Sequence, residues 1–576
     1  MTAHAHVRPL ADAWLAEDPD PATRAELAAL IAAADGGDAA AAKDLVERFT
    51  GTLEFGTAGL RGVLGAGPQR MNRVLVRRVT AGLAAYLIAH VRAARERGVV
   101  IGHDARHNSR VFAEDTARVL GGAGITCYLA HRPWPTPTTA WAVVERGACA
   151  GVMVTASHNP PAYNGYKVYW GNGAQIIPPH DAGIAAAVAE VGRTDALPMP
   201  GLDDLRTAGT VIDLTEALHD DYLTQVIALR ARPEVDGSRL VIAYTPLHGV
   251  GAPSVEGALA RAGFPQLLTE PSQRAPDADF STVAFPNPEE KGAMDRVLAL
   301  ATQVKAGLVL ANDPDADRLA VAVPDGDGGY RQLTGDQVGA LLADYLLEAG
   351  AKDKRMVATT IVSSQLLGFL AEATGADYRE TLTGFKWIGN AALEFERAHA
   401  GRFVMGYEEA LGYSVGPLVR DKDGVSAALL FAELAAWDLA RGTTVLAHLD
   451  DIYRRVGLFV TEQVSLTKPG ADGLAQIRAA MARFRAAPPT ALAGHAIERV
   501  VDLLPGEGGL PPADVLVFKL AGGRRVIMRP SGTEPKLKSY YEVRVPVADG
   551  EPLADARARG LADLAALRDA HQAQLA

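Results

Sequence analysis

Short apolar runs that each close on a polar, turn-forming cluster constrain this chain most: GVVIGHDAR at 98–106, GITCYLAHR at 124–132, GACAGVMVTAS at 147–157, RLVIAYTPLHG at 239–249 and KAGLVLANDPD at 305–315. Amphipathic segments of helical spacing separate them. Strand-length runs that alternate with helices bury their side chains in parallel or mixed sheets covered by those helices, so the fold class is α/β. In open sheets of this kind ligands sit beyond the carboxyl ends of the strands. HDARHNS, TASHNPP and NDPDADR are therefore the natural seats of chemistry.

At 576 residues the chain exceeds what one hydrophobic core serves. Polar or Pro/Gly-rich breaks at 191–204, at 323–333 and near Asp450 divide it into a helical N-terminal lead-in at 1–50 and segments at 51–204, 205–326, 327–450 and 451–576. The first three long segments read as α/β. The last mixes VLVFKL and YYEVRV strands with Ala-rich helices and reads as a separate α+β domain. No repeat period is visible.

The 48% apolar and 22% charged composition is that of a folded protein. No apolar run is long enough to cross a bilayer, and the N-terminus has no secretory h-region, so a cytoplasmic protein without a membrane partner is expected. The two cysteines, Cys127 and Cys149, have no CxxC spacing and suit a reducing compartment. The formal net charge of -11 argues against a nucleic-acid partner and requires local basic loops if the ligand is an anion.

Asp313, Asp315 and Asp317 in DPDADR follow an apolar strand. Carboxylates at alternate turn positions can converge on a hard cation such as magnesium. A solvated Asp-rich turn is the plain alternative. An EF-hand is a poor match, because Arg318 stands where the loop needs Gly and Pro324 where it needs Glu. An aspartyl-phosphate hydrolase attacking through Asp313 competes. In RPSGTEPKLKSYYEV, Arg529, Ser531, Gly532 and Thr533 form a nest for phosphate, with Arg524, Arg525, Lys536 and Lys538 adding positive charge; a bare hairpin turn is the alternative. Glu408 and Glu409 in MGYEEALGYSVG can accept sugar hydroxyls. FGTAGLRG carries Arg61, and TLTGFKWIGN carries Lys386, whose aromatic neighbours could depress its pKa. His103, Asp104 and Arg106 read as structural hydrogen-bonders. Ser157 lacks the GxSxG elbow of hydrolases, and it could simply cap a turn.

TASHNP, DPDADR, the Glu-Glu-x-x-Gly loop and RPSGT, in this order, resemble the α-D-phosphohexomutase superfamily from about residue 50 onward. FGTAGLRG, TLTGFKWIGN and EEALGY with RDKDGVSAALL are similar to its branch of bacterial α-phosphoglucomutases and phosphopentomutase-type enzymes. The resemblance implies three related α/β domains with mixed sheets and a C-terminal α+β domain around a central cleft. These would carry phosphoserine (51–204), metal (205–326), sugar (327–450) and phosphate (451–576). It implies that Ser157 carries a phosphoryl group and that Asp313, Asp315 and Asp317, with Ser157, bind Mg2+. Arg61 would stabilise phosphoryl charge, and Lys167, with His158 and Lys386 as further candidates, would move protons, Lys167 with a lowered pKa. Glu408, Glu409, Arg318, Arg529, Ser531, Gly532 and Thr533 would bind substrate.

The expected activity interconverts α-D-glucose 1-phosphate and D-glucose 6-phosphate through glucose 1,6-bisphosphate, with pentose or mannose phosphates as alternative substrates. Tyr407 and Ala410 depart from the family's GEES form, with the loss of one hydroxyl contact, and a monomer or a dimer is expected.

Overall fold

The computed structural model describes residues 4–53, 59–351, 353–468, 472–506, 509–531 and 536–575. The chain forms two compact units, Met1–Leu333 with Ala410–Trp437, and Thr334–Glu409 with Asp438–Ala576.

Among the described residues of the first unit, three helices precede the first sheet: Arg8–Glu17, Pro21–Asp35 and Ala39–Phe49. Asp20 and Asp38 cap the second and third by accepting backbone N–H groups of the first turn. Trp14, Leu27, Ile31, Leu45 and Phe49 make a small core with Ala66 and Val74 of the following segment. The lead-in is thus packed onto the first α/β layer. Arg48 and Ala66 both bond to Glu26, which ties the helices to the loop after Leu60–Val63.

One strand order recurs. In the first sheet Val99–His103 lies between parallel neighbours Cys127–Ala130 and Ala150–Val154, and Tyr163–Trp170 returns antiparallel beside Ala150–Val154. In the second, Ile242–Thr245 lies between parallel Leu267–Thr269 and Leu308–Asn312, and Leu319–Pro324 returns antiparallel beside Leu308–Asn312. In the second unit Arg355–Thr360 again has parallel neighbours on both sides, Asp377–Thr381 and Arg402–Glu408. Three copies of one topology exist without a sequence period, because burial pattern and connection order are repeated while residue identities are not.

In each copy the loop after the third strand is a chemistry-bearing motif. TASHNPP follows Val154, DPDADR follows Asn312, and EALG follows Glu408. In the first two copies the third strands, AGVMV and LVLAN, are buried on both faces, so the first residues free to bear function lie just beyond their carboxyl ends, while in the third copy Glu408 is the half-buried last residue of RFVMGYE.

The rest of the second unit is an antiparallel sheet built from Leu458–Thr467, Lys536–Val545, Arg524–Pro530, Leu516–Leu520, His495–Asp502 and Ala491–Leu492, with helices Gly473–Ala486 and Leu553–Leu575. The expected breaks need adjustment. Val211–Leu214 still pairs in the first sheet beyond 204, and Tyr330–Gln332 pairs in the second beyond 326. Asp450 lies inside the helix Val445–Val456, which runs on to Gly457. Polar composition marks loops, but an edge strand can lie beyond one.

Candidate active site

The first unit gathers Ser157, Arg61, His158, Lys167, Asp313, Asp315, Asp317 and Arg318. Ser157 is buried, with a φ of 53° that is costly for a residue bearing a Cβ. Neighbours hold it there. Its N–H donates to Thr155 Oγ1 at 2.9 Å, and Thr155 in turn donates to Asp104 Oδ2 at 2.7 Å. Arg106 forks onto the loop's carbonyls, donating to Ser157 O, to Asn159 O at 2.6 Å and to Pro160 O at 3.0 Å. Asp104 and Arg106 of GHDARHNS are therefore a bracket for the serine turn.

Ser157 Oγ donates to Asp313 Oδ2 at 2.7 Å and lies 3.4 Å from His158 Nδ1. Burial, then Arg318 and Arg61, push the His158 imidazole well below its ordinary pKa, so the ring is neutral. Arg61, on Leu60–Val63, donates to Asn159 Oδ1 at 3.1 Å. Burial and the nearby Arg318 lower its pKa. Guanidiniums crowded at the serine turn of an acidic protein make a local anion site.

The DPDADR carboxylates are fully buried, and one oxygen of each lies within 4.8 Å of the others. Burial and the two neighbouring carboxylates push the Asp313 carboxyl well above its usual range. Burial also opposes ionisation of Asp315, but Lys167 and the Thr136 hydroxyl, which donates to it at 2.6 Å, outweigh that and hold it low. Asp317 is likewise lowered, burial and Asp315 being outweighed by Lys167, Lys422 and Arg318. Asp315 Oδ1 and Asp317 Oδ1 are buried with no hydrogen-bond donor among the described residues. Orphaned carboxylate oxygens beside a third carboxylate are the donor set of a hard divalent cation, so these residues fit Mg2+.

Lys167 Nζ donates to Asp315 Oδ2 and Asp317 Oδ2, each at 2.9 Å. The expected depression of its pKa is not found. Burial does lower it, but Asp315 and Asp317 outweigh burial and hold the ammonium above its ordinary value. The sequence places Lys167 near Ser157 but hides these counter-charges, which arrive from another sheet. Sequence reasoning also missed Asp421 and Lys422 as site residues: Lys422 Nζ lies 3.2 Å from Asp317 Oδ2 and 3.2 Å from Asp421 Oδ1. Their signal was the charge-dense RDKDG before the apolar helix Gly424–Ala440.

The second unit gathers Glu408, Glu409, Lys386, Arg529 and Ser531. Glu408 closes the strand Arg402–Glu408, and its Oε1 accepts the Gly384 N–H at 2.7 Å, just before the helix Phe385–His399 that bears Lys386. Lys386 Nζ lies 5.4 Å from the centre of the Trp387 ring. Glu409 Oε2 accepts Ser363 Oγ at 2.7 Å. Arg529 ends the strand Arg524–Pro530, and Ser531 N–H donates to Lys536 O at 2.7 Å. Tyr540 lies close to Arg529, Glu409 and Glu408, and burial followed by Glu409 raises its phenol's pKa. Gly532 and Thr533 lie outside the described residues, as do residues 54–58 of the Arg61 loop.

Two arginines expected to add charge to the phosphate loop are committed elsewhere. Arg524 Nε donates to Asp563 at 2.8 Å. Buried Arg525 donates to Ile361 O at 2.9 Å and Ser363 O at 2.6 Å and pairs with Glu542 at 3.2 Å. Strand alternation turns Arg525 inward, away from the face that bears Arg524.

Models of the three alpha/beta/alpha domains and the C-terminal domain of phosphoglucomutase/phosphomannomutase match residues 52–194, 220–328, 334–456 and 466–560. The chain is 41% identical over 478 residues to a probable phosphomannomutase of Haemophilus influenzae, covering 82% of this chain and 93% of that protein. It is 38% identical over 558 residues to a probable phosphoribomutase of Schizosaccharomyces pombe, covering 93% of each. A phosphoglucomutase of Staphylococcus epidermidis is 36% identical over 509 residues, covering 86% of this chain and 92% of its own. The crystal structure of parafusin, a phosphoglucomutase from Paramecium in an open form, shares the fold with a TM-score of 0.69 at 17% identity, over 91% of this chain and 96% of that one.

Proposed function

The chain belongs to the phosphoglucomutase/phosphomannomutase family of phosphosugar mutases, and we propose that it interconverts α-D-glucose 1-phosphate and D-glucose 6-phosphate through a phosphoserine at Ser157. The observation that carries the chemistry is the 2.7 Å bond from Ser157 Oγ to Asp313, beside oxygens of Asp315 and Asp317 that have no donor among the described residues. A hydroxyl held against a cation-binding carboxylate cluster, with Arg61 and Arg318 at hand, suits phosphoryl carriage.

In this account phosphorylated Ser157 donates to a free sugar hydroxyl, the resulting glucose 1,6-bisphosphate turns around, and its other phosphate returns to Ser157. Transfer between oxygens needs alignment and stabilised phosphoryl oxygens above all. The bracket of Thr155, Asp104 and Arg106 supplies alignment by fixing the serine turn. Arg61 and Arg318 attract and orient the phosphoryl oxygens. Bound Mg2+, held by Asp313, Asp315 and Asp317, would supply Lewis-acid stabilisation of that charge. The Lys167 ammonium can donate a proton to the sugar oxygen once it leaves its carboxylates, and neutral His158, 3.4 Å from Ser157 Oγ, can orient that oxygen. Arg529 and Ser531 would hold the nonreacting phosphate, and Glu408 and Glu409 would accept sugar hydroxyls.

Glucose is supported by the relative named phosphoglucomutase. A pentose phosphate is the second reading, favoured by the relative named phosphoribomutase, whose match spans 93% of both chains, and by Ala410 where a serine hydroxyl stands in the GEES form. Phosphorus NMR with Mg2+, a trace of bisphosphate, and glucose, ribose or mannose 1-phosphate in turn separates them. Conversion of glucose 1-phosphate to the 6-phosphate is expected. Turnover of ribose 1-phosphate alone transfers the assignment to pentoses.

A further inference from the structure

Asp317 is held twice through one oxygen. Its Oδ2 accepts from Lys167 Nζ at 2.9 Å and lies 3.2 Å from Lys422 Nζ, while Oδ1 has no donor among the described residues. The two lysines are anchored differently. Lys167 bonds to Asp315 and Asp317, both members of the carboxylate cluster. Lys422 is fixed from outside that cluster: Asp421 Oδ1 lies 3.2 Å from its Nζ and accepts its backbone N–H at 2.8 Å. The other Asp421 oxygen accepts Tyr169 OH at 2.6 Å and Gln175 Nε2 at 2.7 Å. The segment is seated firmly as well, since Asp423 N–H donates to Tyr413 O at 2.7 Å and Asp423 Oδ1 accepts Tyr222 OH at 2.9 Å.

We propose that Lys422 is a positioning residue for the carboxylate cluster: braced by Asp421, Tyr169 and Gln175, it grips Asp317 through Oδ2 and keeps Oδ1 aimed at the cation site whether or not Lys167 is engaged. The inference rests on the cation reading of the cluster given above. A lysine that serves a sugar hydroxyl has to turn away from its carboxylates. Without Lys422, each departure would leave the buried Asp317 Oδ2 with no donor among the described residues, since Arg318 Nε lies 4.0 Å away on the Oδ1 side. Lys422 stays behind. Partners that orient ligands from outside the metal's own shell act in this way at metal sites.

The test is titration of Mn2+, a probe for the magnesium site, into the dephosphorylated whole protein by calorimetry. Lys422→Met is expected to weaken Mn2+ binding about 10-fold or more and to lower kcat by a similar factor, with KM for the sugar phosphate within about 3-fold. Lys167→Met is expected to change Mn2+ affinity less than Lys422→Met does. Tyr169→Phe, which removes one hydroxyl, is expected to weaken Mn2+ binding by about 3-fold, as the net loss of one hydrogen bond does. Unchanged or tighter Mn2+ binding in Lys422→Met would overturn the proposal, because that is what a merely repelling cation predicts. If Lys422→Met does not fold, wild-type Mn2+ affinity in Tyr169→Phe overturns it instead. A wild-type protein that binds Mn2+ but turns over no sugar phosphate contradicts the mutase assignment and leaves the Lys422 result to be judged by itself.

Discussion

In the second unit His448 is clamped between two carboxylates, Nδ1 at 3.1 Å from Asp438 Oδ2 and Nε2 at 3.1 Å from Asp344 Oδ2. Arg455 also reaches Asp344, at 2.7 Å. Burial acts to lower the imidazole's pKa, but the two carboxylates outweigh it and raise it to about 9. The unfolded value is about 6.5, so the gap corresponds to about 3 kcal/mol of stability. Because the folded pKa is the higher one, this contribution is complete below about pH 6.5 and disappears as pH rises through 9. His448→Gln keeps polar contacts and loses the charge. Scanning calorimetry of wild type and variant at pH 6 and pH 10 should show a melting gap of roughly 6–12 °C at the lower pH, taking 2–4 °C per kcal/mol for a unit of this size. At the higher pH the gap should shrink to what neutral hydrogen bonds provide, about 1 kcal/mol. A gap that stays constant across this range would refute the charged clamp.

Two further perturbations probe the first unit. Arg106→Lys replaces a fork that reaches Ser157 O, Asn159 O and Pro160 O with a point charge that cannot span them; steady-state kinetics should show kcat reduced roughly 100-fold with KM little changed. Gly424→Ala places a Cβ 2.5 Å from Arg318 O and 2.6 Å from Asn312 Nδ2, pressing on the carboxylate turn; urea unfolding should show a loss of about 1–3 kcal/mol, together with weaker Mn2+ binding.

What was legible in the sequence was what the chain encodes locally. GVMVTASHNP and GLVLANDPDADR each carry their own strand and loop, so Ser157 and the three aspartates stand out. Lys167 was visible by its closeness to Ser157, but the direction of its pKa was not, because Asp315 and Asp317 meet it from a different sheet. Lys422 was hidden for the same reason: its partner Asp317 is more than a hundred residues earlier, and a charged run before an apolar helix reads as a solvated turn. Arg525, read from the sequence as positive charge near the anion nest, is turned inward by strand alternation onto Ser363 O and Glu542. The triplicated strand order left no trace in residue identity, since any apolar β-former fills a strand buried on both faces. The break expected near Asp450 falls inside the helix Val445–Val456, because a helix with both polar and apolar faces contains polar residues throughout its length.

In the proposed reaction Ser157 carries the phosphoryl group. Intact-mass spectrometry of the purified protein, followed by fragmentation, tests it most directly. A fraction one phosphoryl group heavier is expected, with the group localised to Ser157 and lost when a sugar monophosphate and Mg2+ are added. Ser157→Ala should have neither the heavier fraction nor turnover. A phosphoryl group on Asp313, or sugar-phosphate turnover that survives in Ser157→Ala, would contradict it.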